Sequence, residues 1–348
     1  MLIARAPVRI SFAGGGTDLA AYYRKYGGFV VSAAINRYFY AFVSVNPDGS
    51  VQVVSSDYRT FYRHSPGDEP LWDTTLALPQ AILEHFGIRS GVSLFLASEV
   101  PPGTGLGSSS TVAVAIIKAL AGALGRRMSP AEVAELACTI EIERLRQPIG
   151  KQDQYAAAFG GLNAITFTEA GVLVEPLAIS PETRRHLEQN LLLFFLGSAR
   201  VSSDILGEQK RASEQEKPEV IESLHAIKQT ALEVRACFER GELERFGELL
   251  DRNWQNKKRL APGITTPQID RCYELARANG ALGGKIAGAG GGGFLMLYCA
   301  HGQRERVTRV LEVEGYRRLD FRFDMSGARV LMNALPRLET DAYVCTIG

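Results

Sequence analysis

Glycine is concentrated in three places in this sequence: FAGGGTDL at 12–19, PPGTGLGSSS at 101–110 and GGKIAGAGGGGF at 283–294. Glycine weakens helices and strands, so such runs belong to turns and to places where backbone comes close to backbone or ligand. In the second run the glycines can turn several N–H groups toward one point. Ser108–Ser110 then open a helix whose first-turn donors and dipole favour an anion. That describes a phosphate cradle, although an ordinary capped loop has the same composition. A Walker A loop is excluded, because no GxxxxGK[ST] occurs. The third run contains GxGxxG at Gly288, Gly290 and Gly293, yet residues 294–299 read as a strand where a dinucleotide fingerprint needs a helix. Close approach to another loop or to a bound ligand is the use expected of it.

With 348 residues, 46 % hydrophobic and 22 % charged, the chain is long enough for two domains with sizeable cores. β-Branched and aromatic runs at Val30–Ile35, Tyr38–Val45 and Val51–Ser55 make the first hundred residues sheet-rich. Val112–Leu124 is apolar on nearly all sides, the pattern of a helix buried between layers. Ser129-Pro-Ala-Glu supplies an N-cap, a proline at the first helical position and a glutamate at the third. Past residue 185 the character changes. An apolar strand at 191–196 is followed by a charged stretch at 208–219. Val220, Leu224, Ile227, Ala231, Val234 and Phe238 then recur at steps of four and three, marking one packed helix face. Further helices are expected over about 242–258 and from Thr265-Thr266-Pro267 to Gly280. The expected division is 1–185 and 186–348.

Basic and acidic side chains number 39 and 38, which removes the cationic footprint of a nucleic-acid-binding protein but leaves a small anionic ligand open. The densest apolar run, 191–196, is far too short for a membrane span, and Arg5 and Arg9 interrupt any signal-like core, so a cytoplasmic protein is expected. Cys138, Cys237, Cys272, Cys299 and Cys345 form no CxxC pair and read as reduced thiols; the five histidines show no zinc spacing. In GKQDQYAAAFGG at 150–161, Asp153 is suited to take a hydroxyl proton while Lys151 keeps its carboxylate ionised. A surface ion pair between the two is the plainer alternative.

Taken in order, RAPVRISFAGGGTDL, PPGTGLGSSS, GKQDQ and KIAGAGGGGF resemble the signature set of the GHMP kinases, the galactokinase, homoserine, mevalonate and phosphomevalonate kinase superfamily, over nearly the whole chain. GGGTDL, GKQDQYAAAFGG and the block from Asn253 to Gly293 are most similar to bacterial D-glycero-D-manno-heptose 7-phosphate kinases, and related fucose kinase domains share much of this pattern. The resemblance implies an α+β GHMP kinase fold, with an N-terminal ribosomal-protein-S5-like α/β domain, a C-terminal ferredoxin-like domain, and ATP and sugar in the cleft between them. It implies that Pro102, Gly103, Thr104, Gly105, Leu106, Gly107, Ser108, Ser109 and Ser110 wrap the ATP phosphates. Mg²⁺ would be held by Ser109 and Glu141, with Glu143 as the alternative. Asp153 and Arg9, accompanied by Lys151, would be catalytic. Gly15, Gly16, Thr17 and Asp18, together with Gly288, Gly290 and Gly291, would face the sugar.

Galactokinases carry Glu-His-Thr-Asp where this chain has Gly15-Gly16-Thr17-Asp18, so galactose is not the expected acceptor. The likeness favours a heptose 7-phosphate phosphorylated on its anomeric hydroxyl, with Arg24, Lys25, Arg37, Arg200 and Lys210 as candidate partners of the 7-phosphate. A fucose-kinase-like enzyme and a regulator without turnover are the alternatives, and both monomer and homodimer remain open.

Overall fold

The computed structural model describes residues 1–56, 59–66, 68, 76–197 and 202–335; Arg200 and Cys345 lie outside them. Along the first part of the chain run β1 (Leu2–Ala13), α1 (Ala20–Tyr26), β2 (Gly28–Val45), β3 (Val51–Ser55), β4 (Thr60–His64), α2 (Ala77–His85) and β5 (Val92–Ser98). Next come α3 (Ser108–Ala123), α4 (Pro130–Cys138), α5 (Gln152–Phe159), β6 (Leu162–Thr168) and β7 (Gly171–Pro176). Then follow α6 (Pro181–Asn190), β8 (Leu191–Phe195), α7 (Ser202–Glu214), α8 (Pro218–Arg240), α9 (Leu243–Lys258) and α10 (Pro267–Ala278). The described chain closes with β9 (Ala281–Ile286), β10 (Phe294–Cys299), α11 (Arg304–Val313), β11 (Arg317–Arg318) and β12 (Arg329–Asn333).

Eight strands form one sheet in the order β12-β1-β2-β5-β3-β4, with β6 and β7 branching from β2. β11, β8, β10 and β9 form a second, antiparallel sheet. The two runs expected at 30–35 and 38–45 are one long strand. Asn36 and Arg37 are its extra residues, because Pro7 pairs with Tyr38 while Val8 pairs with Ile35. Such a bulge bends a strand without ending it. At that point the side chains of β1 pass from one core to another. Leu2, Ala4 and Ala6 pack in the core beneath α3, whereas Val8, Ile10 and Phe12 pack in the core against α8 and α9. Phe12 meets Phe238 and Phe246 edge to face, with centroids 5.1 and 5.7 Å away. Truncating such a buried ring costs about 3–5 kcal/mol. Alternation along β1 then leaves Arg9 and Ser11 facing α5.

α3 is buried nearly all round, as its Ala/Val/Ile sequence requires, and ends in the loop that carries the capping box of Ser129 and Glu132 at the start of α4. Downstream of α4 the chain widens into a π-helical segment, Thr139–Arg144, a distortion that recurs at functional sites. The glycine run 287–293 links antiparallel β9 and β10, which is a hairpin connection and not a dinucleotide-binding turn. Cys138, Cys237, Cys272 and Cys299 are buried free thiols. Among the described residues no helix is long and apolar enough to cross a membrane.

Candidate active site

The three glycine segments converge on one cleft of about 210 Å³. Its centre is Arg9, 3 % exposed, which donates from Nε to Asp153 Oδ1 and from Nη2 to Asp153 Oδ2, each at 2.7 Å, and from Nη1 to the Gly105 carbonyl at 2.7 Å. A planar guanidinium is the side chain whose donors fit both carboxylate oxygens at once. One residue of β1 therefore fixes the first turn of α5 and the loop before α3 together.

That loop is pinned from the other side by the glycine hairpin. Gly105, at φ +81°, passes so close to Ala287 that a Cβ would lie 2.3 Å from its carbonyl oxygen, and a Cβ on Gly288 would lie 2.5 Å from the Gly105 Cα. The Phe294 N–H completes the contact by donating to the Thr104 carbonyl at 3.2 Å. The expected loop-to-loop approach is what the third glycine run provides. Gly107 precedes α3 in a left-handed conformation, so the free N–H groups of that helix's first turn open onto the cleft beside Gly103, Gly105 and Ser108–Ser110.

Glu141 enters from the π-helical segment and is fully buried. The Ser109 and Ser110 hydroxyls donate to its Oε1 at 3.2 Å, and Gln154 Nε2 donates to Oε2 at 2.7 Å. Burial raises its pKa to about 7 despite these donors. Nearby, Ser108 Oγ and Gln154 Oε1 are buried without a partner. This oxygen-only set fits Mg²⁺, which takes one or two protein oxygens and completes its shell with phosphate and water. Glu143 is exposed, whereas Glu141 is buried beside Ser109 and Ser110.

Asp18 lies on the opposite side of Asp153. Gly16 and Gln152 donate backbone N–H groups to its two oxygens at 2.9 and 3.1 Å. A Cβ on Gly150 would collide with the same carboxylate at 2.0 Å. Burial first, and the negative charge of Asp153 second, raise the pKa of Asp18. Ser11 and Gln152 are joined at 2.8 Å behind it. Leu206 and Gln209 of α7 form the facing wall, and Lys257 of α9 and Lys285 of β9 line the floor.

Of the residues expected at the site, Arg9, Gly15, Gly16, Asp18, Gly103, Gly105, Gly107, Ser108, Ser109, Ser110, Asp153 and Gly288 line this cleft. Others do not. Lys151 turns away from Asp153 and pairs with Glu135 at 2.6 Å, so the cation holding the Asp153 carboxylate is Arg9. Thr17 is buried beneath the loop, with its hydroxyl on the Gly14 carbonyl at 2.7 Å. Thr104 and Leu106 are buried supports, and Pro102 is an exposed flank of the loop. Gly290 and Gly291 pack on Ile264 outside the cleft.

The cations expected for a sugar phosphate are elsewhere too. Lys25 pairs with Glu216, Arg37 bonds the Asp320 carbonyl, Lys210 lies 3.9 Å from Glu214, and Arg24 is exposed. None of the four lines the cleft. Lys257, Lys285, Ser11, Gln152 and Gln209 line the cleft and were not expected there, nor was Gln154 as the buried partner of Glu141. Lys257 and Lys285 both fall inside the 253–293 block, and Lys285 is also the lysine of KIAGAGGGGF.

The sequence matches the GHMP kinases N terminal domain over residues 74–161 and the GHMP kinases C terminal domain over 234–316. It is 33 % identical to a D-glycero-alpha-D-manno-heptose 7-phosphate kinase of Campylobacter jejuni, across 93 % of this chain and 97 % of that protein. A solved D-glycero-D-manno-heptose 1-phosphate kinase from Bacteroides thetaiotaomicron superposes with a TM-score of 0.79 at 28 % identity, covering 96 % of this chain and 99 % of that one. Galactokinase of Lactococcus lactis, at 19 % identity and a TM-score of 0.73 over 94 % of each chain, shares the fold. With the loop at 103–110, the Arg9–Asp153 pair and the glycine hairpin in one cleft, the chain belongs to the GHMP kinases and is an ATP-dependent sugar kinase.

Proposed function

We propose that the enzyme transfers the γ-phosphoryl group of ATP to the anomeric hydroxyl of D-glycero-D-manno-heptose 7-phosphate, giving the 1,7-bisphosphate. The single observation that carries the chemistry is the junction held by Arg9, where a carboxylate suited to a hydroxyl and a loop suited to phosphates are 2.7 Å from the same guanidinium. The heptose 7-phosphate assignment is supported by the likeness to the Campylobacter protein.

Phosphoryl transfer depends mainly on positioning and charge stabilisation. The loop 103–110 and the start of α3 receive the ATP phosphates. An apolar recess of about 300 Å³ shares Ser109 with the cleft and is lined by Phe39, Leu78, Leu96 and Val112. It suits the nucleoside end. Ser109 and Glu141 would hold Mg²⁺, which when bound neutralises phosphate charge. Asp18 accepts hydrogen bonds from sugar hydroxyls. Asp153 orients the acceptor hydroxyl and takes its proton as the new O–P bond forms and the bond to the ADP oxygen breaks. Its lone pairs outnumber the three hydrogen bonds it accepts from Arg9 and Gln152, so the hydroxyl still finds an acceptor.

A substrate panel with ATP and magnesium tests the reading: heptose 7-phosphate, the unphosphorylated heptose, L-fucose, galactose and mevalonate, followed by ADP release and phosphorus NMR. The phosphorylated heptose should lead the unphosphorylated sugar by ~10²-fold or more in kcat/KM, since one charge-assisted contact is worth ~1.5–3 kcal/mol. Equal values for the two sugars would remove the 7-phosphate from the assignment.

A further inference from the structure

The acceptor side of the cleft has more buried positive charge than the protein neutralises. Lys285 is 1 % exposed and Lys257 6 % exposed, and both line the cleft. An ammonium group carries three donors. Lys285 spends one on the Ser11 carbonyl at 3.0 Å, and Lys257 one on the Gly288 carbonyl. Among the described residues neither lysine takes part in an ion pair. The carboxylates in the cleft are already engaged, Asp153 by Arg9 and Gln152, and Asp18 by two backbone N–H groups. Gln209 Nε2 on the facing wall is a buried donor without a partner. Burial lowers the pKa of Lys257 to about 8, and burial together with the charges of Lys257 and Arg9 lowers that of Lys285. Two buried cations without a counter-ion cost free energy in the empty protein, and an anionic ligand removes that cost.

Resting on the kinase reading above, we propose that Lys257 and Lys285 are the receptor for a phosphate ester carried by the acceptor itself, with Gln209 as a neutral third donor. The nucleotide phosphates are the poorer occupant. They have their own donors at the start of α3, whereas the Lys285 ammonium is anchored on the Ser11 carbonyl, and Ser11 bonds Gln152, whose N–H holds the Asp18 carboxylate. Lys257 is held against the glycine hairpin through the Gly288 carbonyl and lines the same cleft as Asp18 and Asp153.

The test compares wild type with Lys285→Met and Lys257→Met. For each, kcat/KM is measured with heptose 7-phosphate and with the unphosphorylated heptose, and affinity for a non-hydrolysable ATP analogue is measured by calorimetry. The ratio of the two kcat/KM values should fall at least ~10-fold in each variant, while analogue affinity stays within threefold. An unchanged ratio, or a loss confined to analogue affinity, overturns the proposal. A second measurement needs only wild type: inorganic phosphate should compete with heptose 7-phosphate and not with the ATP analogue, and competition with the analogue alone refutes the assignment. If wild type phosphorylates neither sugar, the kinase reading fails separately. Calorimetric binding of heptose 7-phosphate still decides the lysines: loss in Lys285→Met supports them, and equal binding refutes them.

Discussion

Replacing Glu141 by glutamine should make the metal-free protein more stable at pH 8. In the folded state burial holds the Glu141 proton up to about pH 7, against 4.5 for an ordinary glutamate. Between those values the folded protein binds more protons than the unfolded chain, so its stability falls as pH rises from 4.5 to 7 and is level above. The full interval corresponds to about 3 kcal/mol. A glutamine pays no such penalty. It can keep accepting from Ser109 and Ser110, and Gln154, whose Oε1 has no partner, can turn its amide to meet the new NH₂. Urea unfolding in the presence of a chelator, at pH 4.5 and at pH 8, measures the effect. Wild type and Glu141→Gln should be close at pH 4.5, with the variant ahead by about 2–3 kcal/mol at pH 8. Asp18 and Lys257 titrate alike in both proteins and cancel in the difference. Magnesium added at pH 8 should stabilise wild type and leave the variant unmoved. Parallel pH profiles, or a variant less stable at pH 8, would refute the reasoning.

Asp153→Asn should lower the single-turnover rate by ~10²-fold or more and leave ATP affinity within a few fold; a rate near wild type removes Asp153 from the reaction. Ser109→Ala should raise the magnesium concentration giving half-maximal rate, with some response retained because Ser110 also donates to Glu141; an unchanged magnesium titration passes the role to Ser110. Lys151→Met should leave kcat within threefold and cost no more than ~1 kcal/mol in urea unfolding, because its partner Glu135 is half exposed. A large loss of kcat would restore Lys151 to the catalytic centre.

The features legible in the sequence are those set by neighbours along the chain. The capping box at Ser129 and the apolar face running from Val220 to Phe238 appear as expected, because both depend on spacing within one helix. Ser108–Ser110 were legible because a helix start displays its donors locally, and Asp153 because it stands in the GKQDQ motif. Partner choice was not. Lys151 is two residues from Asp153, but the helix that begins at Gln152 turns the two side chains apart, and a strand 144 positions away supplies the cation. The short helices α1 and α2 were hidden in a stretch rich in strand formers. Lys257 and Lys285 were not singled out, because their burial depends on how α9 and β9 stack against β1, a long-range arrangement that spacing along the chain does not display.

The pairing of β12 with β1 constrains the order of assembly during synthesis. Residues 329–333 lie against residues 2–5, so the strand made first keeps an open hydrogen-bonding edge until almost all of the described chain has emerged. The same strand carries Arg9, so the residue that joins both halves of the chemistry sits in a sheet that waits for its last member. A chain cut before residue 329 would retain every residue lining the cleft but expose β1 as an unprotected edge, the kind of surface that pairs with other chains. Its failure would therefore appear as aggregation during expression.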